Sequence, residues 1–166
     1  MYRKLVIVAI TGLLAALIVP TAGAAKPTIQ RISLDYHAVN TSCGFPVQLD
    51  AVGTIVDISY TDGLGTIHDF EAAPQAKETM TNVATGKSIV VNIAGPADFT
   101  FGADGSFKEV GGGNSTWGYG DPRTLGATRG IFLSTGRFVW SISASGVESW
   151  TISGKVTNLC TQLASS

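Results

Sequence analysis

Short runs of alternating apolar and polar residues, separated by glycine-containing turns, constrain the fold of this chain more than any other feature. In "RFVWSISA" the apolar residues Phe138, Trp140 and Ile142 take alternate positions, with Ser141 and Ser143 between and after them. Successive side chains of a strand point to opposite faces of its sheet. The pattern therefore predicts half-buried antiparallel strands with one solvated face.

Eight to ten such runs follow one another along the chain, and little of the sequence is typical of a helix. The best helical candidate, "EAAPQAKETM", is interrupted by Pro74, which removes a backbone donor and breaks a helix. An all-β fold is therefore expected. The sequential order of the hairpins favours an antiparallel up-and-down β-barrel of the lipocalin-like type, and a β-sandwich is the alternative.

One strand candidate, "FPVQLDAVGTIVDISY", changes its apolar positions in the middle. Val47 and Leu49 are at odd positions, whereas Val56 and Ile58, beyond Gly53, are at even positions. Because a one-residue shift moves side chains to the other face of a sheet, the change predicts a bulge or bend at Gly53.

The N-terminus has the features of a secretory signal peptide. Arg3 and Lys4 precede an uncharged apolar run from residue 5 to residue 19, and Ala22 and Ala24 form a small-residue exit. The run is short for a membrane-spanning helix, which needs about 20 residues. We therefore expect residues 1–24 to be a signal peptide and residues 25–166 to be a single secreted β domain, extracellular or associated with the cell wall, with no membrane span after cleavage. An uncleaved N-terminal anchor is the alternative.

The charge of the chain gives no sign of a polyanionic partner. Two of the eleven basic residues and none of the twelve acidic residues precede position 25, so the expected mature domain has nine basic and twelve acidic residues, a net charge of −3. Its Lys and Arg residues are scattered singly. Nucleic-acid binding and attachment to an anionic membrane surface are therefore not expected.

Cys43 and Cys160 are the only cysteines, so one intrachain pairing is possible. Export would place them in an oxidising compartment, where such a pair becomes a disulfide. Two thiolates alone would leave a zinc ion under-coordinated. We expect a Cys43–Cys160 disulfide that joins the two ends of the domain, with free thiols or intermolecular pairing as the alternatives.

The stretch "GGGNSTWGYGDPR" is predicted to be a long irregular loop that carries Trp117 and Tyr119. Aromatic side chains on loops at a barrel mouth offer a large contact area at a low entropic cost. Trp117 and Tyr119 are therefore the candidate ligand-binding residues. The alternative is that Trp117 folds back over the core as a plug.

Other residue types give no catalytic assignment. His37 lies two positions from Asp35, and His68 is followed by Asp69 and Glu71, so either histidine could act as a base or bind a metal. Nothing in the sequence brings the two histidines together. Dispersed carboxylates, Asp98, Asp104, Glu109 and Asp121, are interpreted as solvated turn or surface residues. No P-loop, calcium loop or G-x-S-x-G motif is present, so no catalytic residue, metal or cofactor is predicted.

Several short motifs resemble those of small secreted proteins of actinobacteria. They are the signal peptide, "CGFPV", "TGKSI", "NIAGP", "DGS" and "NLC". The resemblance implies export and a compact β domain. That group carries no assigned activity, so the resemblance transfers no catalytic residue.

The leading expectation for function is a non-enzymatic binding module that holds a small apolar ligand inside the barrel. A barrel isomerase of the allene-oxide-cyclase type, or a small hydrolase, is the enzymatic alternative. A structural protein that meets another protein or a cell-surface component is the third.

Overall fold

The computed structural model describes residues 25–118, 120–121 and 123–164. The predicted signal peptide, residues 1–24, lies outside the described residues, as does Tyr119. Export and the domain boundary at residue 25 therefore stay predictions.

The described chain is all-β and its strands pair antiparallel, which confirms the predicted class. It contains twelve strands and one helix of four residues. They are β1 (Thr28–Asn40), β2 (Val47–Thr61), β3 (Ile67–Ala72), β4 (Lys77–Asn82), β5 (Ser88–Asn92), β6 (Pro96–Phe101), β7 (Phe107–Gly111), β8 (Asn114–Trp117), β9 (Gly120–Asp121), β10 (Thr124–Arg129), β11 (Phe132–Ile142), β12 (Glu148–Asn158) and α1 (Cys160–Leu163).

Ten of the strands form one sheet, in which two long strands each serve two partners on one edge. One edge of β2 pairs with β1 from Val47 to Ser59, and the other edge pairs first with β4 and then with β3. Strand β11 pairs with β12 on one edge and with β8 and then β7 on the other. The hairpin β4–β5 and strand β8 therefore branch from a meander that runs β1–β2–β3–β6–β7–β11–β12.

The pairing among the described residues does not close into a barrel. The path ends at β12 on one side and at β1 and β5 on the other. The remaining two strands, β9 and β10, pair with each other. The structure therefore shows an antiparallel sheet without closure among the described residues. The barrel and the sandwich both stay predictions.

The apolar core lies at one end of the sheet. Val47, Met80, Ile131, Leu159 and Leu163 are almost fully excluded from solvent and form one contiguous cluster. They come from β2, β4, the start of β11 and the C-terminal helix, so this core joins the first third of the domain to its last residues. Burying such side chains is worth about 1.5–3 kcal/mol each.

The predicted disulfide is present and closes the same end. Cys43, between β1 and β2, is bonded to Cys160 at the start of α1, with the two Cα atoms 5.2 Å apart. Both cysteines pack against the apolar core. This end of the molecule, which we call the disulfide end, is thus fixed covalently as well as by packing.

A glycine pair allows β11 and β12 to pass close together where β11 changes partner. Gly136 and Gly154 are opposite each other. A Cβ on Gly154 would lie 2.0 Å from the carbonyl oxygen of Thr135, and one on Gly136 would lie 2.4 Å from that of Ser153. Since real Cβ atoms do not approach a carbonyl so closely, only glycine fits at either position.

Two sequence expectations differ from the structure. Residues Asn114–Trp117 form β8, paired with β11, so the predicted irregular loop contains a strand. The β1–β2 register runs through Gly53 without a shift, so no bulge accompanies it in that pairing. Gly53 instead marks the point where β2 changes partner, and a Cβ there would lie 2.9 Å from the Cα of Ala76.

Candidate functional site

A band of carboxylates and aromatic rings crosses one face of the sheet beyond the disulfide end. Residues directly opposite in antiparallel strands share a face and lie about 5 Å apart at Cβ. The register gives one row of Ser59, Asp69, Phe99, Glu109, Trp140 and Trp150, and a neighbouring row of Asp57, Glu71, Ala97, Gly111, Phe138 and Ile152. We call these two rows the acid–aromatic face.

Asp57 and Asp69 form the most deeply placed pair of acids on this face. Asp57 is only 8% exposed. The Oδ1 atoms of both residues are buried and find no hydrogen-bond donor among the described residues. Burial, together with a hydrogen bond and the charge of Asp57, raises the pKa of Asp69 to about 6. Asp69 therefore takes up its proton at mildly acidic pH.

Glu71 and Glu109 extend the acidic group toward the aromatic rings. Burial, and then the charge of Glu71, raises the pKa of Glu109 to about 7. Burial and the charge of Asp57 raise the pKa of Glu71 as well. Both glutamates line a cavity of about 180 Å³, whose wall also includes Phe99 and Phe138. A carboxyl group that titrates near neutral pH in a cavity is a common sign of a functional site.

Among the residues that the structure describes, no basic side chain forms an ion pair with these four carboxylates. Within the part of the chain that the structure describes, the ion pairs all involve a histidine, His37 with Asp35 and Asp50, and His68 with Asp62. Burial, and then the neighbouring acids, raise the pKa values of Asp69, Glu71 and Glu109, as expected for acids without a counter-cation. The negative charge of the acid–aromatic face is therefore not compensated by a Lys or Arg of the described residues.

The aromatic part of the face is held in a fixed arrangement. The rings of Trp140 and Trp150 stack with centroids 5.1 Å apart and planes 11° from parallel. Both indole N–H groups donate to Oε1 of Glu148, over 2.7 Å and 3.1 Å. Phe107 meets Trp140 edge to face at 4.9 Å. Since each ring is only half-buried or less, the stacked indoles offer a preformed aromatic surface beside Glu109.

Trp117, one of the two predicted ligand-binding residues, is half-buried at the end of β8. Its ring packs edge to face on Phe138 and on Trp150, with centroids 4.9 Å and 4.7 Å apart. Its indole N–H donates to Oγ of Ser134 over 2.9 Å. Trp117 is thus packed as the plug alternative expects and also joins the aromatic surface. A direct role in binding stays a prediction, and Tyr119 lies outside the described residues.

A second pocket, of about 250 Å³, opens on the other side of Trp117. It is lined by Tyr36, Glu78 and Met80 among others. Glu78 is 4% exposed, burial raises its pKa, and a hydrogen bond from Thr116, 2.7 Å long, opposes that rise. Because the Glu78 carboxylate already accepts a hydrogen bond from Thr116, it has less need of a ligand donor than the carboxylates of the acid–aromatic face have.

The two histidines lie on the surface with different partners. His37 contacts Asp50 at 2.7 Å and Asp35 at 3.0 Å, and the hydrogen bond to Asp50 is the main cause of its raised pKa. His68 contacts Asp62 at 3.2 Å, and its acidic sequence neighbours are not its ion-pair partners. In the described ranges, no group of three or more His, Cys, Asp or Glu side chains is arranged to hold a metal ion.

Sequence reasoning missed the acid–aromatic face because its acids come from three strands. Glu109 was interpreted as a solvated residue, whereas it is half-buried beside a cavity. The sequence patterns assign no role to Asp57. The available signal was the Asp57 position itself, which falls on the odd-numbered face that Val47 and Leu49 mark as the interior.

Searches for similar proteins give no family. No protein-family model, no curated protein and no solved structure matches this chain. Among the described residues no helix has the length and hydropathy that crossing a membrane requires. The resemblance to small secreted actinobacterial proteins therefore stays a prediction, and function has to be argued from the acid–aromatic face.

Proposed function

We propose that the protein is an exported, non-enzymatic binding module whose acid–aromatic face takes a small organic ammonium ion with an apolar body. The observation that carries the proposal is the group of four carboxylates that no Lys or Arg of the described chain balances. A ligand cation would supply the missing charge. The predicted apolar ligand is kept in part, since the body of the ligand would lie on the rings.

Electrostatics favours a cation over a neutral ligand at this site. Asp69 and Glu109 ionise only near pH 6 and pH 7, because burial and then the neighbouring acids oppose ionisation. A bound ammonium group would reverse that effect and hold both carboxylates in the ionised state. Binding of the cation is thereby linked to proton release.

The aromatic rings favour an organic cation over a bare metal ion. An ammonium group near the face of an indole gains about 0.5–2 kcal/mol from the ring quadrupole. Trp140 is directly opposite Glu109, so one cation can lie near a carboxylate and a ring together. The cavity of about 180 Å³ suits the head of such a ligand, since whole drug-sized molecules need about 300 Å³ or more.

A rolled, barrel-like sheet is the architecture we propose for the module. A single hydrogen-bonded path leads from β1 to β12, and the disulfide joins the loop after β1 to the helix after β12. Both features support one sheet rolled on itself over two separate sheets of a sandwich. Export is supported by the disulfide, since such bonds persist in oxidising compartments.

A matched series of ligands tests the proposal. Titration calorimetry and tryptophan fluorescence at pH 8 would compare 2-phenylethylamine, 2-phenylethanol and phenylacetate, which share an aromatic body and differ in charge. We expect the amine to bind about tenfold or more tightly than the alcohol and the carboxylate not to bind. Affinity for the amine should fall as the pH is lowered through 7 and 6, where Glu109 and Asp69 take up protons.

Two variants locate the binding. Glu109→Gln should weaken amine binding and flatten its pH dependence. Asp98→Asn is the matched control, since Asp98 is exposed on β6 and adjacent to Phe99, hence on the opposite face. Equal affinity for the amine and the alcohol would instead favour the small apolar ligand that the sequence predicts. No binding of the amine would overturn the proposal.

Acid–base catalysis is the second candidate, and the protonation of Glu109 favours it. A carboxyl group with a pKa of about 7 is suited to donate a proton at neutral pH, and Glu71 lines the same cavity. A pair of carboxyl groups of this kind is what glycoside hydrolysis uses. Hydrolysis of 4-nitrophenyl glycosides that peaks between pH 5 and pH 8, and is lost in Glu109→Gln, would favour the enzyme.

A further inference from the structure

Strand β1 presents a long free edge. It pairs with β2 through thirteen successive residues on one side. On its other side no strand pairs with it among the described residues. Every residue of β1 is exposed or half-buried. A free edge offers unpaired N–H and C=O groups and is a template for another strand.

This edge lacks several of the usual devices that prevent pairing. Its register with β2 is unbroken, so no bulge twists it away. The strand contains no proline and no lysine. Ile29 is 68% exposed, Val39 60% and Tyr36 51%, so large apolar side chains border the unpaired backbone. Natural proteins seldom leave so long an edge unprotected unless it has a partner.

We propose that β1 pairs edge to edge with β1 of a second copy of this chain, antiparallel, about a twofold axis at Ser33. In that register Arg31 is directly opposite Asp35 of the partner subunit, and the symmetry repeats the pair. Ile32 is opposite Leu34 of the partner subunit on the other face. Opposite charges and apolar pairs directly across two strands both stabilise the pairing.

The extent of the free edge supports the same register. Asn40 donates from Nδ2 to the carbonyl oxygen of Gly118 over 2.8 Å, and the hydroxyl of Ser42 also donates to that oxygen. The loop after β8 therefore lies against the C-terminal end of β1. The edge before this contact runs from Thr28 to Val39, and Ser33 is one of its two middle residues.

Neighbouring registers are less favourable. A shift that moves the axis to Leu34 would place Arg31 opposite His37 of the partner subunit. Arg31 would then have no carboxylate directly opposite it, since Asp35 would be opposite Ser33 of the partner subunit. A register shifted by one residue would place the odd-numbered side chains of one copy on the same face as the even-numbered side chains of the other. Charge complementarity therefore selects the axis at Ser33.

The expected dimer is weak. Pairing of one strand edge buries less than the roughly 1,600 Å² of a standard stable interface. We therefore expect a dissociation constant of roughly 10 μM or weaker. Sedimentation velocity of the purified protein across that concentration should show a reversible shift from monomer to dimer.

Cysteine cross-linking tests the register. Ser33→Cys should form a disulfide-linked dimer on mild oxidation, because residue 33 of each copy would face the same residue of the other. Leu34→Cys should cross-link more slowly. Preferential cross-linking through residue 34 would overturn the axis at Ser33. A native Cys43–Cys160 bond in each variant is confirmed by peptide mass mapping.

Charge exchange tests the partner. Arg31→Asp should weaken the dimer about tenfold, since it replaces two opposite-charge pairs by two like-charge pairs. Combining Arg31→Asp with Asp35→Arg should restore it, and a circular dichroism spectrum equal to that of the wild type would show that the single variant is folded. Arg137→Asp, at an exposed position of β11, is the matched control and should leave dimerisation unchanged. A monomer at every concentration, or a dimer insensitive to Arg31→Asp, would overturn the proposal.

Discussion

The two halves of β2 point the same set of side chains inward but give them opposite chemistry. Toward the disulfide end, Val47 and Leu49 enter the apolar core. Eight residues further along from Leu49, Asp57 takes the same face, is nearly as buried, and meets other acids instead of apolar partners. The β1–β2 register does not shift between them, so the contrast is one of sequence and not of geometry.

The contrast teaches that one long strand can contribute to a stable core at one end and carry the face for which we propose binding at the other. The disulfide end combines a covalent bond with a dry core, whereas the acid–aromatic face places uncompensated charge in partial burial, which costs free energy. Real proteins accept such costs mainly at functional sites. The disulfide end is therefore the part that allows the acid–aromatic face to exist in a folded chain.

Removing the disulfide should produce the largest effect. The bond joins residues 117 positions apart, and closing a loop of this length stabilises by about 4–5 kcal/mol in the chain-entropy model. We expect a Cys43→Ser, Cys160→Ser double variant to lose that amount in urea unfolding monitored by tryptophan fluorescence. The reduced wild-type protein should unfold at the same urea concentration. A loss below about 1 kcal/mol would show that the core alone fixes this end.

Deleting a core side chain should have the next largest effect and should depend on which end it belongs to. Met80 is fully excluded from solvent, so Met80→Ala should cost about 2–5 kcal/mol. Ile67, beyond the acid–aromatic rows on β3, is 46% exposed, so Ile67→Ala should cost about 1 kcal/mol or less. Thermal melts of the two variants provide the check. Equal losses of melting temperature would contradict the distinction between the buried core at the disulfide end and the partly exposed side chains near the acid–aromatic face.

The sequence predicted the disulfide and the strands of the disulfide end well, because the evidence for them is local in the sequence or leaves a single possibility. Two cysteines allow one pairing, and alternation of the kind seen from Ser88 to Asn92 gives β-strands directly. Branching of the sheet was not predictable, since β2 is a single run in the sequence and nothing in it states that one edge serves both β4 and β3. Closure into a barrel was inferred from sequential hairpins, which do not determine how the last strand meets the first.

The acid–aromatic face escaped prediction for a physical reason. Val56 and Ile58 suggested that the buried face of β2 changes at Gly53, because hydrophobic alternation assumes an apolar interior. The interior position is instead taken by Asp57. Its cluster with Asp69 and Glu109 also depends on the register of β2, β3, β6 and β7, which composition and spacing do not reveal.

Neutralising Glu109 should stabilise the protein, in contrast to the core substitutions. Its pKa rises from 4.5 to about 7 on folding, so its contribution to stability is fully present below about pH 4.5 and is lost as the pH rises through 7. The shift corresponds to roughly 3 kcal/mol, which solvent screening of this partly exposed group reduces to about 1 kcal/mol. Glu109→Gln should therefore raise the melting temperature at pH 8 and leave it unchanged near pH 4.

The control for Glu109→Gln is Asp98→Asn on the opposite face of the sheet, which should not reproduce this pH dependence. A Glu109→Gln variant that is less stable than the wild type at pH 8 would contradict the burial of an uncompensated charge. It would indicate that a cation already balances this carboxylate.

The smallest effect is expected at Asp62, in the turn between β2 and β3, and its sign should be opposite to that of Glu109. Oδ1 of Asp62 accepts backbone N–H bonds from Thr66 at 3.0 Å and Leu64 at 2.8 Å, and Oδ2 contacts His68. These contacts, led by the bond from Thr66, lower its pKa below the usual 3.8. Its contribution is therefore present above pH 3.8 and is lost as the pH falls below that value.

Asp62→Asn should accordingly lower the melting temperature slightly at pH 7 and make no difference in strong acid, whereas the effect of Glu109→Gln grows as the pH rises. Parallel melts of both variants from pH 3 to pH 8 compare a carboxylate that its surroundings satisfy with one that they do not. If the two differences from wild type changed with pH in the same direction, the acid–aromatic face would be no more than ordinary surface. Opposite slopes would identify Glu109 as a charge that its surroundings leave unbalanced, which is what the proposed cation site requires.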